Sequence, residues 1–271
     1  MRCPVCRAEF AESPAGLRCA AGHSFDRARQ GYVNLAAGLG RVGLGADDAA
    51  AVDARSTFLT AGHFAPVLDE VIAAAVQAWP HRGLVVDVGS GPGHYLAAVL
   101  DAVPADGLAL DSSTPALRRA ARCHPRASAI GWDLREPLPL VDGCAGLLLN
   151  VFAPRNGAEY ARVLGPAGAL LVVTPGPGHL GELVSSLGLI SVDADKPARL
   201  AVALDPWFTA VRVARVNSRM SLSHVAVATV VGMGPNAHHI GAGELADRIA
   251  VLPDPVAVTL EVNVGVYRPR V

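Results

Sequence analysis

An α/β fold, built on a doubly wound and mostly parallel sheet and preceded by a small metal-binding module, is predicted for this 271-residue chain. Three observations predict it. Between Leu84 and Thr174, short apolar runs alternate with helical stretches at the spacing of βαβ units. The first of these runs ends in the loop Asp87-Val88-Gly89-Ser90-Gly91-Pro92-Gly93, a glycine turn of the kind that lets backbone approach a ligand. Upstream, Cys3, Cys6, Cys19 and His23 stand in CxxC and CxxxH pairs separated by twelve residues.

The N-terminal donors come first in the chain. Two tight pairs of soft and borderline donors can turn back on one ion, and Gly22 lets the chain bend before His23. A disulfide or plain packing would use the same thiols, but neither needs His23 as a fourth donor. With all four positions filled by protein, the Zn²⁺ is expected to be structural. The module is expected over residues 1–37, where Ser24-Phe25-Asp26 and Gly31-Tyr32-Val33-Asn34-Leu35 mix aromatics with turn formers. Residues 38–80 read as a linker, marked by Gly38, Gly40, Gly43 and Gly45, and a helical segment. Residues 81–271 form the large domain.

Alanine-rich helices are predicted over Asp47 to Leu59 and Pro66 to Ala78, interrupted at Gly62-His63-Phe64-Ala65. Strands follow at Leu84 to Val88 and Gly107 to Leu110, with a helix from His94 to Val103 between them. Thr114 is a candidate N-cap, with Pro115 as the first helical residue of a segment reaching Cys123. Further strands are predicted at Ala127 to Trp132, Cys144 to Val151 and Ala169 to Thr174, and a helix ends at Leu164. Alternation along Val256 to Tyr267 suggests a terminal hairpin arm.

Composition narrows the class. Hydrophobic residues make up 51% of the chain, yet no apolar run approaches a membrane span. No secretory signal is visible, and three thiols held by metal with Cys123 and Cys144 left over fit a reducing, cytoplasmic setting. The net charge of −1 excludes a surface that is basic throughout. Residues 1–45 differ, carrying Arg2, Arg7, Arg18, Arg27, Arg29 and Arg41 against Glu9, Glu12 and Asp26. Arginine offers planar donors to phosphate, which suits a nucleic-acid partner, while a general codon bias toward arginine would account for the arginine excess equally well.

The ligand of the large domain can be read from its strand ends. Gly89, Gly91 and Gly93 open the loop, and His94 and Tyr95 start the helix behind it. Asp87 stands where a carboxylate can face the cationic end of a sulfonium. Asp111 closes the second strand, where an acid accepts ribose hydroxyls, and Asp133-Leu134 closes the third, beside an adenine. A dinucleotide site would have two residues between its last two glycines rather than one, which favours S-adenosyl-L-methionine.

Taken together, the metal module, Gly31-Tyr32-Val33-Asn34-Leu35, Phe58-Leu59 with Gly62-His63-Phe64, the glycine loop and Phe152-Ala153-Pro154 resemble the 23S rRNA guanine-N1 methyltransferases. That family includes the tylosin-resistance enzymes of actinobacteria. Met233-Gly234-Pro235 and Thr174-Pro175-Gly176-Pro177 with His179-Leu180 are similar to other stretches of it. His238-His239 lies where the family commonly has an aromatic-basic pair, and Ser90 and Gly234 depart from its cysteine and threonine. The resemblance implies a Rossmann-like methyltransferase sheet, S-adenosylmethionine, a guanine in a hairpin loop of 23S rRNA, often a homodimer, and a contribution to macrolide resistance. It also implies that Asn150, Phe152 and His63 serve the acceptor base, with Phe64 and His179 as further candidates. Two other readings use the same residues: a small-molecule methyltransferase with a structural zinc module, and an inactive zinc-stabilised RNA-binding protein.

Overall fold

The computed structural model describes all residues except 14, 37–45, 190–195, 235–239 and 271. The linker glycines, Arg41, Pro235 and His238-His239 therefore lie outside the described residues.

The chain opens with strands β1 (Phe10–Ser13), β2 (Gly16–Cys19) and β3 (Ser24–Asp26), which pair antiparallel in a three-stranded sheet. Gly16 is required there, because φ is +150° and a Cβ would overlap the Phe25 carbonyl oxygen. Phe25 is buried, its ring edge-on to Phe10 at 5.7 Å. It forms the small core of the module rather than a platform for bases. Tyr32 packs against the core of the large domain.

Strand β4 (Val33–Asn34) leaves the module and pairs in parallel with the outer strand of the large sheet. Arg2 N also donates to Pro139 O at 3.0 Å. The metal module is thus docked on the large domain through backbone hydrogen bonds and through Cys3, Leu17, Phe25, Val33 and Leu35, which share one buried cluster with Val86, Val88 and Leu148.

Helices α1 (Ala49–Thr60) and α2 (Ala65–Ala78) follow, then β5 (Leu84–Val88), α3 (His94–Ala102), β6 (Gly107–Asp111), α4 (Thr114–Ala120), β7 (Ala127–Gly131), β8 (Ala145–Val151), α5 (Gly157–Val163) and β9 (Leu164–Pro175). The remainder is α6 (Gly181–Leu187), α7 (Lys196–Leu204), β10 (Phe208–Leu222), α8 (His224–Gly232), α9 (Ala242–Ala250) and β11 (Val256–Pro269). The large sheet has the order β10-β11-β9-β8-β5-β6-β7-β4, parallel from β4 to β9 and antiparallel in the last two strands.

Local chemistry accounts for the boundaries. Asp48 caps α1 by accepting from Ala51 N at 2.8 Å. The cap of α4 is Ser113, whose hydroxyl accepts from Ala116 N at 3.3 Å, and not Thr114, which is already helical. Pro115 then sits where its missing N–H costs nothing. Along β5 the side chains alternate: Val86 and Val88 face the cluster that holds the metal module, and Val85 faces the cluster packed by α2 and α3.

The expected terminal arm is a different object. β11 lies between β9 and β10, pairing with both, and Val258, Leu260, Val262 and Val264 are fully buried. Its long antiparallel partner β10 gave no sequence signal because it is an edge strand, its arginines interleaved with exposed valines such as Val211 and Val213. No single helix among the described residues is long and apolar enough to cross a membrane.

Candidate functional site

In the N-terminal module, the donor atoms of Cys3, Cys6, Cys19 and His23 all lie within 4.8 Å of one another. Cys6 Sγ is 3.6 Å from Cys19 Sγ, and His23 Nδ1 is 3.3 Å from Cys19 Sγ and 3.7 Å from Cys3 Sγ. A disulfide needs about 2.05 Å, whereas ligands about 2.0–2.3 Å from a tetrahedral centre stand roughly 3.5–3.8 Å apart. The donor set therefore fits a single tetrahedral ion. Tight turns build it: Arg7 N donates to Cys3 O, Gly22 N donates to Cys19 O, and Gly22 adopts φ +87°.

The second site lies where strand order reverses. β5 has β6 on one side and β8 on the other, so the crevice at the carboxyl ends of β5 and β8 is the switch point of the sheet. The loops after both strands meet there. Gly89 has φ +80°, and a Cβ on it would overlap Ala153 Cβ and come within 3.5 Å of Leu134 Cδ1. Gly93 has φ +86°, and a Cβ there would lie 2.7 Å from Cys123 Sγ. Gly91 also has positive φ, and its open side faces Arg55, which pairs with Asp47 and donates to Met233 O at 2.8 Å. Arg55 and Asp47 bring α1 and the chain before it across the glycine loop, a contact that no sequence pattern announced.

Three acids sit at successive strand ends. Asp111 accepts from Gly91 N and Ser113 N, both at 2.8 Å, so it braces the glycine loop. Burial nonetheless raises its pKa. Asp133 is held by the Arg135 guanidinium at 2.7 and 3.0 Å. Asp87 is 1% exposed, and its Oδ1 has no partner among the described residues. Burial, with a smaller contribution from Asp111, pushes the Asp87 carboxyl up to about 8. Tyr95 is buried nearby, its hydroxyl unpaired among the described residues, and burial depresses the pKa of His94. A buried carboxyl without a counter-ion, next to a cradle emptied of Cβ atoms, fits a ligand whose cationic end enters the crevice.

Across the crevice is Asn150, fully buried at the end of β8. Its amide donates to Pro154 O at 2.9 Å and to Tyr160 Oη at 3.1 Å, while Tyr160 Oη donates to Pro154 O at 2.9 Å. This triangle fixes the loop and leaves Asn150 Oδ1 without a partner among the described residues. The loop is strained at Phe152, a non-glycine residue at φ +53° whose ring is 41% exposed. His179 faces that ring at 6.1 Å with 24° between planes. Phe64 is buried 6.4 Å from Phe152 and edge-on to Phe58, so it supports the exposed ring rather than offering a face of its own. His63 packs on Phe58 at 4.7 Å. Glu261 and Tyr160 are functional-looking residues that sequence reasoning missed. Glu261 is buried and accepts from Gly178 N at 3.2 Å, bracing the turn before His179; its stretch read only as a hairpin arm, and that of Tyr160 only as the end of a helix.

Comparison with known proteins agrees with this geometry. The RlmA N-terminal zinc-ribbon family matches residues 1–36. A 23S rRNA (guanine(748)-N(1))-methyltransferase of Streptomyces fradiae is 49% identical over 99% of this chain and 96% of its own length. A protein of Micromonospora griseorubida, provisionally assigned as a 23S rRNA (guanine-N(1)-)-methyltransferase, is 50% identical over 99% of this chain and 97% of its own length. Among solved structures, a Bacillus halodurans protein provisionally assigned as a methyltransferase shares the fold, with TM-score 0.51 and 15% identity over 73% of this chain and 97% of that one. The chain belongs to the family of 23S rRNA (guanine-N1)-methyltransferases.

Proposed function

We propose that this enzyme transfers a methyl group from S-adenosylmethionine to N1 of a guanine in a hairpin loop of 23S rRNA. The observation that carries the reading is the contact between the glycine loop and the Asn150–Pro154 loop, sealed where Gly89 meets Ala153. It supports a reading in which a cationic donor and a flat polar acceptor share one crevice. The 49% identity to the Streptomyces fradiae enzyme supports guanine 748 as the base to test first.

S-adenosylmethionine supplies an electrophilic methyl on a sulfonium. The protein's part is to hold the two reactants in line. Asp87 would face the positive charge in the buried crevice, Asp111 would accept from ribose hydroxyls, and Asp133 with Leu134 would line the place of the adenine. On the acceptor side the guanine must leave its stack. Phe152 offers an exposed ring to its face, with His179 opposite, and the free Asn150 Oδ1 accepts a hydrogen bond from the base edge. The N1 proton needs a base, and an imidazole can take it: of the two histidines here, His179 borders the Phe152 ring, while His63 packs on Phe58.

The zinc module serves RNA recognition in this reading. Its Zn²⁺ holds the turns that carry Arg7, Arg18, Arg27 and Arg29, all solvent-exposed. Incubation with labelled S-adenosylmethionine and unmodified 23S rRNA, followed by nucleoside mass spectrometry and primer extension, tests the proposal. Expected are 1-methylguanosine and one strong stop. Label appearing only on a metabolite pool, with rRNA unmodified, would sink it.

A further inference from the structure

Beside the loop after β8 lies a cavity of about 360 Å³, lined by Leu134, Arg135, Pro154, Arg155, Asn156 and Trp207 among others. That volume is in the range of small-ligand pockets, and two features of its wall call for an occupant. The first is Arg155. It is half-buried, its Nε is sealed from solvent with no acceptor, and no carboxylate pairs with it among the described residues. Burial holds its pKa below the ordinary arginine range, unlike Arg135 in the same wall, which is clamped to Asp133. A guanidinium removed from water without an anion is costly, and an incoming anion relieves that cost.

The second feature is Trp207, a large aromatic left 45% exposed. Its backbone is fixed, since Trp207 N donates to Leu204 O at 2.9 Å and Arg270 N donates to Trp207 O at 2.8 Å. Gly157 makes room for it: a Cβ there would lie 2.9 Å from Trp207 Cδ1 and overlap Ala203 O. The indole is therefore held in place at the cavity wall rather than swinging freely in solvent.

The cavity is tied to the acceptor loop. Arg155 is three residues beyond Phe152, a reach of at most about 10 Å, and the Pro154 carbonyl between them is gripped by Asn150 and Tyr160. A loop nucleotide next to an extruded base loses one stacking neighbour, so its own base is available to an aromatic side chain. We propose that this cavity takes the nucleotide flanking the target guanine, its phosphate on Arg155 and its base against the Trp207 indole. This rests on the rRNA reading above and assigns it a second contact, one that selects among guanines by holding their neighbour.

The test uses the full-length protein with a methylatable 23S hairpin, and the same hairpin made abasic at either flank of the target. Wild type must first methylate the intact hairpin; failure there would sink the rRNA reading itself, and this inference with it. Arg155→Gln and Trp207→Ala should each raise KM for the hairpin roughly tenfold, from loss of a phosphate contact or of base stacking. Their kcat and S-adenosylmethionine affinity should stay near wild type, and Arg155→Lys should recover part of the loss. The Trp207→Ala defect should vanish on one of the two abasic hairpins. As a check free of folding effects, 4-thiouridine at that flank should crosslink wild-type protein at Trp207 or Arg155. Unchanged KM in correctly folded variants would overturn the proposal. So would a Trp207→Ala defect that persists on both abasic hairpins, or crosslinks confined to other residues.

Discussion

Replacing Asp87 with Asn should make the protein more stable at alkaline pH while weakening its hold on S-adenosylmethionine. The folded chain keeps the Asp87 carboxyl protonated up to about pH 8, whereas the unfolded chain releases that proton near 3.8. Between those values the native state binds more protons than the unfolded state, so stability falls as pH rises. The slope from one such group approaches 1.4 kcal/mol per pH unit. Over pH 6 to 8 it amounts to roughly 2 kcal/mol, taken as an order of magnitude. Asn copies the neutral carboxyl in shape and does not ionise, so Asp87→Asn removes this loss. Against wild type, its melting temperature should gain about 5 °C more at pH 8 than at pH 6. Zinc-saturated samples of both proteins are melted side by side, so that titration of Cys3, Cys6, Cys19 and His23 cancels in the difference. Calorimetry on wild type should also register proton release on cofactor binding near pH 7, because an incoming cation favours ionised Asp87. A gap between the two proteins that stays constant from pH 5.5 to 8.5 would refute the reasoning.

Other perturbations have defined outcomes. Gly89→Ala puts a Cβ into Ala153 at φ +80° and should cost about 2 kcal/mol or more in urea unfolding, with cofactor binding lost; wild-type affinity would contradict the loop contact. Asn150→Ala breaks both the Pro154 and the Tyr160 hydrogen bonds, and should lower kcat on the hairpin by about a hundredfold while cofactor affinity, measured by calorimetry, holds. Cys19→Ser should leave the purified protein without stoichiometric zinc by elemental analysis and should abolish tight rRNA binding, yet preserve cofactor binding at the crevice of the large domain. Affinity for rRNA should fall steeply between about 50 and 200 mM salt as phosphate contacts release counterions, and a filter-binding series with flat salt dependence would argue against the arginine face.

Much of the parallel half of the molecule was legible because its signals are local. Leu84–Val88 is apolar at every position but Asp87 and is ended by a glycine turn, and a parallel strand buried on both faces is expected to be largely apolar in this way. The N-terminal donors were legible for a similar reason, since pairs of ligands three or four residues apart lie within one turn. Capping was less certain: Ser113 and Thr114 are adjacent hydroxyls, and only backbone geometry chooses the residue that is still extended. The antiparallel half was misread. Val256–Pro269 alternates as an arm would, but its partner β10 is separated from it by α8 and α9 and wears arginines paired to Glu70, Glu261 and Glu182 on other elements.

The amino-acid sequence alone singled out the candidates for chemistry: the donor quartet, the glycine loop, and the acids at strand ends. Each of these is encoded by neighbours along the chain. Tertiary structure decided what faces what. It leaves Phe152 exposed and Phe64 buried, leaves Asp87 Oδ1 without a partner among the described residues while Asp111 and Asp133 are engaged, and lays the last strand of the metal module against the sheet edge. Such contacts join residues far apart in the chain, as where Val33 meets Ile130 or Phe64 lies beside Phe152, brought together only when the sheet closes around its core.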